Sequence, residues 1–414
     1  MKPGGFHGAR PFASPRAEIL GVHAKPSRRV TTTIALEPVS ALALRIAESV
    51  VEQTRADRPA DELLRTALRG VARFRATDAA AAAGAVFACF RWWRWLPAGA
   101  PVRIRVQKAI ELARQYAVAP GSFSDDDLRR AIPEWVEEQV EVLPAWLRLL
   151  QVPPTLWLRA RSGEATALAE RLGDCTPVAG SRSSEALKYG GATDLFRTTD
   201  FHAGNFEIQD IHSQAIGWIC GPQPGQTWWD ACAGQGGKML HLSDLMQGKG
   251  LLWASDRSVA RLDQLRRRAA RARVFNYRAS FWGGGTKLPT KTKFDGVLLD
   301  APCTNIGTWQ RNPHARWSIG SADVDELAAR QIELLGNAST AVKPGGKLVY
   351  SVCTLSRAET VSVAELFEDR HPEFKPISIS DPFEENGLGA SRLWLRPEKR
   401  SANGMFVAAW QRLD

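Results

Sequence analysis

The chain has 414 residues, carries 54 Lys and Arg against 44 Asp and Glu, and has a formal charge of +10. That length exceeds one ordinary core, so two or three domains are expected, and 44% apolar with 24% charged residues excludes a disordered or fibrous chain. No apolar run approaches the ~18 residues of a membrane span and no export-signal stretch is visible, so a cytoplasmic protein is expected, and its charge points to a polyanionic partner, nucleic acid first.

Residues 1–35 hold six Lys or Arg against one acid, broken by Pro3, Pro11, Pro15 and Pro26, and read as a flexible basic tail. Residues 36–150 read as helical. Leu42, Ile46 and Val50 form one apolar stripe, Leu64, Leu68 and Val71 a second, and Val106, Ile110 and Ala113 a third, with Pro59, Pro97, Pro101, Pro120 and Pro133 at the boundaries. Within this block the run from Phe90 to Trp95 interleaves Arg91 and Arg94 with aromatics. At helical spacing the rings are expected in the core and the arginines in solvent. Residues 151–205 shift to short segments rich in Gly, Ser and Thr, a small α+β linker domain.

From residue 206 to 414 the pattern alternates strand and helix. Apolar runs at Trp228-Trp229, Leu251–Trp253, Val297–Leu299 and Leu348–Tyr350 each end at a polar or small residue, as in buried parallel strands of a doubly wound α/β domain. Thr227–Asp230 leads into Ala231-Cys232-Ala233-Gly234-Gln235-Gly236-Gly237-Lys238, a strand running into a glycine-rich turn. A nucleoside-triphosphate loop needs Gly and Ser/Thr where Cys232 and Met239 stand, and a dinucleotide fingerprint from Gly234 also fails at Met239. A nucleoside ligand remains, with Asp256 on the next strand suited to its ribose hydroxyls.

The six cysteines lack metal-ligand or disulfide spacing, so no metal is expected and the thiols read as reduced. Two of them, Cys303 after Asp300-Ala301-Pro302 and Cys353 after Tyr350-Ser351-Val352, stand at strand carboxyl ends and should face the same crevice as the glycine turn. The run Arg266-Arg267-Arg268 with Arg271 and Arg273 reads as a solvated helix face.

These segments resemble the Nop/Sun family of RNA 5-methylcytosine methyltransferases, in particular the bacterial RsmB-type ribosomal RNA enzymes. Gln209-Asp210 with Ser213-Gln214 is similar to one family motif, Asp230 to Lys238 to its D-x-C-A-A-P-G-G-K loop, and Tyr350 to Thr354 to its Y-S-T-C-S motif. Asp300 to Cys303, with Gly307, Arg311, Pro313, Arg316 and Trp317, resembles its D-A-P-C-S-G-x-G-x-x-R-R-x-P-D-x-R-W stretch, and Gly404, Phe406 and Ala408 its last strand. Asn305 stands where that motif has Gly, Gln310 where it has Arg, Val352 where it has Thr, and Arg278 about where an acid near the adenine belongs.

The resemblance implies a Rossmann-like S-adenosylmethionine methyltransferase domain behind an all-α NusB-like domain. It makes Cys353 the nucleophile and Cys303 the thiol that helps release the RNA. It assigns Cys232, Ala233, Gly234, Gln235, Gly236, Gly237, Lys238, Asp256, Arg278 and Asp300 to the cofactor, with Lys238 and Asp300 also catalytic and Arg311 and Arg316 on RNA. A thiolate adding to C6 of cytosine turns C5 into a nucleophile for a sulfonium methyl, helped by an acid at N3 such as Asp300. The expected enzyme is a cytoplasmic monomer acting on small-subunit ribosomal RNA. A tRNA substrate, or an RNA-binding relative without activity, remains open at this point.

Overall fold

The computed structural model describes residues 39–69, 75–178, 184–384 and 389–413, so the basic segment 1–35 and Val71 lie outside the described residues. The apolar stripes become helices Ala41–Gln53, Ala60–Arg69, Ala76–Arg91 and Val102–Val118. Ser40 caps the first by accepting from the Ala43 amide at 3.2 Å, and Ala43, Ala47 and Val50 are buried on one face. Trp92 lies at their centre, its ring 5.6 Å from Tyr116 and 5.0 Å from Phe123.

Next comes a small antiparallel sheet of β1 (Leu156–Ala160), β2 (Cys175–Pro177), β3 (Ala186–Tyr189) and β4 (Phe206–Ile208), in the order β2-β3-β1-β4. Because β4 pairs with β1, this sheet runs past residue 205, where the sequence suggests a boundary, to Ile208. Buried polar contacts weld it to the large domain. Arg159, 2% exposed, donates to Gln209 Oε1 at 2.8 Å and pairs with Asp244, and Gln214 donates to the Leu158 carbonyl at 3.1 Å.

The large sheet contains β5 (Thr227–Asp230), β6 (Leu251–Asp256), β7 (Tyr277–Phe281), β8 (Phe294–Asp300), β9 (Val342–Val352), β10 (Phe374–Pro376), β11 (Arg392–Leu395) and β12 (Met405–Arg412). Its order is β10-β12-β9-β8-β5-β6-β7, with β11 on β12. Strands β5 to β9 are parallel and β12 runs antiparallel to β9. The chain moves outward from β5 through β6 to β7 and then returns to β8 on the other side of β5. That reversal opens a crevice beyond the carboxyl ends of β5 and β8, where α/β sheets bind ligands.

The helical block sits on the loops after β8 and β9. Ile306, Trp309 and Leu355 belong to its apolar core, and Trp146 stacks on Trp309 at 6.3 Å. Trp317 donates to the Phe90 carbonyl at 2.7 Å, and the Arg357 amide to the Gln139 carbonyl at 2.9 Å. Two expectations about arginine are corrected here. Arg91 is buried, with its guanidinium on the Gln310 carbonyl at 3.4 Å, because the helix face it occupies meets the loop after β8. Arg316 is 0% exposed and donates to the carbonyls of Leu150 (2.7 Å), Trp309 (3.2 Å) and Ala131 (3.3 Å). A guanidinium buried among three carbonyls has no face toward solvent for RNA; it joins the blocks.

Arg316→Ala should therefore destabilise the protein by on the order of 3 kcal/mol, through an open cavity and unsatisfied carbonyls. Urea denaturation checks this. A surface RNA contact would instead leave the midpoint unchanged while weakening RNA binding.

Candidate active site

Ala231 to Gly236 form the turn after β5, and helix Gly237–Leu245 starts immediately behind them. Gly236 has φ +86°, and a Cβ there would lie 2.7 Å from Leu265, so glycine lets helix Val259–Arg271 pack against the turn. The Asp256 carboxylate, at the end of β6, accepts from the Gly234 amide at 3.0 Å and the Ser258 amide at 2.8 Å. It thereby fixes the turn while keeping acceptor capacity toward the cleft. That cleft has a volume of about 780 Å³ and is lined by Asp230, the residues from Cys232 to Gln235, Lys238, Asp256 and Asp300.

Asp230 is fully buried, and neither carboxylate oxygen has a hydrogen-bond partner of normal geometry among the described residues. Burial, with the nearby Asp300 charge, pushes its carboxyl up to about 8. Lys238 bonds Asp300 at 2.6 Å, and Ser351 donates to the other Asp300 oxygen at 2.8 Å. Burial works against the Lys238 charge, but Asp300 outweighs it and holds this ammonium above the ordinary lysine range.

At the outer end of the cleft the two cysteines meet, with Sγ of Cys303 3.5 Å from Sγ of Cys353. The Cys303 hydrogen bond draws Cys353 below the usual thiol value, against burial, and Lys238 and Arg311 act in the same direction. The same bond, together with burial, pushes Cys303 well up. Cys353 is therefore the better thiolate and Cys303 its proton-bearing neighbour.

Behind the thiols lies Glu359, which no sequence motif marks. Its carboxylate accepts from the Thr304 amide at 2.9 Å, the Thr304 hydroxyl, Thr354 at 3.1 Å and Gln331 at 3.1 Å. Burial nonetheless pushes its carboxyl up. The available signal is a threonine after each cysteine and an acid just beyond, which has meaning only once the two loops are known to meet. The loop after β8 also crosses the start of β12, where a Cβ on Gly307 would lie 2.0 Å from the Gly404 carbonyl oxygen.

Arg311 lines the cleft. Arg278 does not. It is exposed on β7, paired in register with Trp253, and its guanidinium lies 5.8 Å from that ring. The residue level with Asp256 at the end of β7 is Phe281, and Trp282, Gly283 and Gly284 lead from it into the cleft wall. Arg278 thus lies three residues short of the strand's carboxyl end and away from the crevice. The basic run on helix Val259–Arg271 is also only partly solvated, since Arg268 and Arg271 both pair with the buried Glu207.

A family model described as 16S rRNA methyltransferase RsmB/F matches residues 218–411. The probable ribosomal RNA small subunit methyltransferase B of Synechocystis sp. is 32% identical over 321 residues, covering 73% of this chain and 68% of that protein. Ribosomal RNA small subunit methyltransferase B of Thermus thermophilus is 31% identical over 332 residues, covering 77% and 78%. The crystal structure of PH0851 shares the fold, with a TM-score of 0.73 at 21% identity over 91% of this chain and 100% of that one. Related to both methyltransferases over at least two thirds of their lengths, the chain belongs to the RsmB/F family of 16S rRNA methyltransferases.

Proposed function

We propose that the protein methylates C5 of a cytosine in RNA, specifically small-subunit ribosomal RNA, using S-adenosylmethionine and a covalent bond from Cys353 to C6. The observation that carries this reading is the thiol pair, 3.5 Å apart and on one cleft with the glycine turn, with Cys353 drawn toward thiolate. The cradle fits a nucleoside cofactor. Nothing lies within 4 Å of a Cβ built on Gly234, the Asp256 carboxylate faces the cleft, and the Asp230 oxygens lack partners among the described residues. Residues 232–238, Asp256 and Asp300 would hold S-adenosylmethionine, which supplies the methyl group from its sulfonium.

The chain's own residues do the rest. The Cys353 thiolate adds to C6, the S–C6 bond forms, and the displaced electron pair makes C5 nucleophilic. Asp300 relays a proton from the Lys238 ammonium bonded to it to N3, neutralising the negative charge that develops there, and takes it back on elimination. After C5 is methylated its proton passes to water in the open cleft, the C5–H electron pair forms the C5=C6 bond, and the S–C6 bond breaks so that Cys353 departs as thiolate, stabilised by the Cys303 S–H beside it. Arg311 meets an RNA phosphate at the rim. The helical block, NusB-like in this reading, grips RNA on the same side as the two loops it covers, and the protein works as a cytoplasmic monomer.

Calorimetry with purified protein should show S-adenosylmethionine binding, weakened in Asp256→Ala by on the order of 1.5–3 kcal/mol through loss of a charge-assisted acceptor. No binding at millimolar ligand would overturn the cofactor assignment.

The cysteines separate by what they trap. Cys353→Ala should lower turnover by at least roughly 10⁴-fold and form no adduct. Cys303→Ala should also fail to turn over, yet accumulate an RNA–protein complex that survives denaturing electrophoresis and requires S-adenosylmethionine. Trapping by Cys353→Ala instead would reverse the roles. Bisulfite sequencing of ribosomal RNA and tRNA from a deletion strain then identifies the substrate; a cytosine methyl group lost only from tRNA would replace the ribosomal assignment.

A further inference from the structure

Asn305 lies two residues after Cys303 and has φ +59°, in the left-handed region where asparagine is, after glycine, one of the residues most often found. Its side-chain amide nitrogen donates to the Cys303 carbonyl at 2.9 Å. That bond fixes which way the carboxamide faces, since a flipped amide would set oxygen against oxygen. The carboxamide oxygen consequently points at the sulfurs, 3.0 Å from Cys353 Sγ and 3.8 Å from Cys303 Sγ. The three residues close a small ring. Cys353 S–H donates to Asn305 and Asn305 donates back to the Cys303 backbone; with the Cys353 proton so placed, the bond between the sulfurs must come from Cys303 S–H.

The ring behaves differently in the two protonation states of Cys353. With the thiol protonated, all three bonds are made. As thiolate, Cys353 still accepts from Cys303, but its lone pairs face the Asn305 oxygen without a proton between them. Asn305 thus favours the protonated form, whereas glycine, which the resembling motif has here, would be neutral. The other groups facing this sulfur are accounted for: Cys303, Lys238 and Arg311 favour the thiolate, and Asp300 opposes it. Glu359 bonds Thr354, directly after Cys353, and its charge acts on Cys303.

We propose that Asn305 is a cap on the nucleophile, whose carboxamide oxygen holds Cys353 as a hydrogen-bonded thiol until a base occupies the cleft and takes its place. The cap limits thiolate exposure in the empty enzyme, where an open cleft would otherwise admit alkylating and oxidising agents. This inference rests on Cys353 being the nucleophile, but its test needs neither RNA nor cofactor and so stands apart from the adduct experiment.

The rate of iodoacetamide labelling of Cys353 in the full-length protein, followed by peptide mass spectrometry as a function of pH, measures the cap directly. Asn305→Gly, which keeps the backbone conformation, should move the profile down by about half to one unit, as for a hydrogen bond made only by the protonated form. Asn305→Asp places a negative charge at the same atom and should move the profile up by about a unit or more. Opposite shifts in two variants with unchanged thermal midpoints separate the cap from a general loosening of the loop. An Asn305→Gly profile that coincides with wild type or moves up overturns the proposal. Should Asn305→Gly not fold, an Asn305→Asp profile that fails to rise overturns it equally.

Discussion

One buried carboxylate holds the catalytic end of this molecule together. Glu359 accepts from Thr304, directly after Cys303, and from Thr354, directly after Cys353, so two loops from different strands share one anion. The Tyr350 hydroxyl donates to the Glu359 carbonyl at 2.6 Å, and Gln331 bridges the carboxylate to the Pro302 carbonyl at 2.9 Å. An ion removed from water is costly unless every lone pair is used, and here the bonds all come from residues that set sulfur positions. The anion therefore ties the two cysteine-bearing loops to each other.

The helical block supplies the second constraint. Loops at the open end of an α/β sheet are ordinarily its mobile part, free to vary and to carry function. In this protein they are roofed. Trp309 lies between Trp135 and Trp146, and Arg316 gathers carbonyls from the block and from its own loop. Arg91 and Arg316 are both buried, and burial pushes the first down to about 10 and the second well below its ordinary value. Each of these costly buried arginines reaches carbonyls across the junction, which an apolar side chain of equal volume would leave bare. The covering helix block thus helps fix the position of the thiols through its contacts with both cysteine-bearing loops.

How far the sequence is legible depends on how local each signal is. The central strands after residue 206 are apolar on both faces and end in a turn, so β5, β6, β8 and β9 are readable, and with them the glycine turn, Asp256, Asp300 and both cysteines. The end of β7 is not, because Tyr277–Phe281 lies at the sheet edge and its pattern is mixed. Motif spacing accordingly puts the acid-bearing position at Arg278, whereas Phe281 is the residue level with Asp256. Arg316 and Arg91 escape for another reason. An arginine in a motif looks the same whether its partner is a phosphate or a distant carbonyl, and the Leu150 and Ala131 carbonyls lie 166 and 185 residues from Arg316 in sequence. Glu359 and Asn305 act only through the meeting of two loops, which no single stretch of sequence contains.

The remaining electrostatics form a graded series along the cleft. At the inner end Asp230 is pushed up to about 8, so near neutrality its carboxyl is largely protonated and adds little charge beside Asp300. In the middle, Asp300 is ion-paired with Lys238. At the outer end Cys353 is drawn down by Cys303. The cleft thus presents one neutral carboxyl, one compensated ion pair and one incipient thiolate, in that order from the sheet outward. Were Asp230 ionised, two carboxylates would compete for the single Lys238 ammonium and weaken its pull on the Cys353 proton; burial of Asp230 removes that conflict. Keeping an acid rather than an apolar residue there has a separate physical use, since a protonated carboxyl both donates and accepts, and a zwitterionic ligand presents both kinds of group.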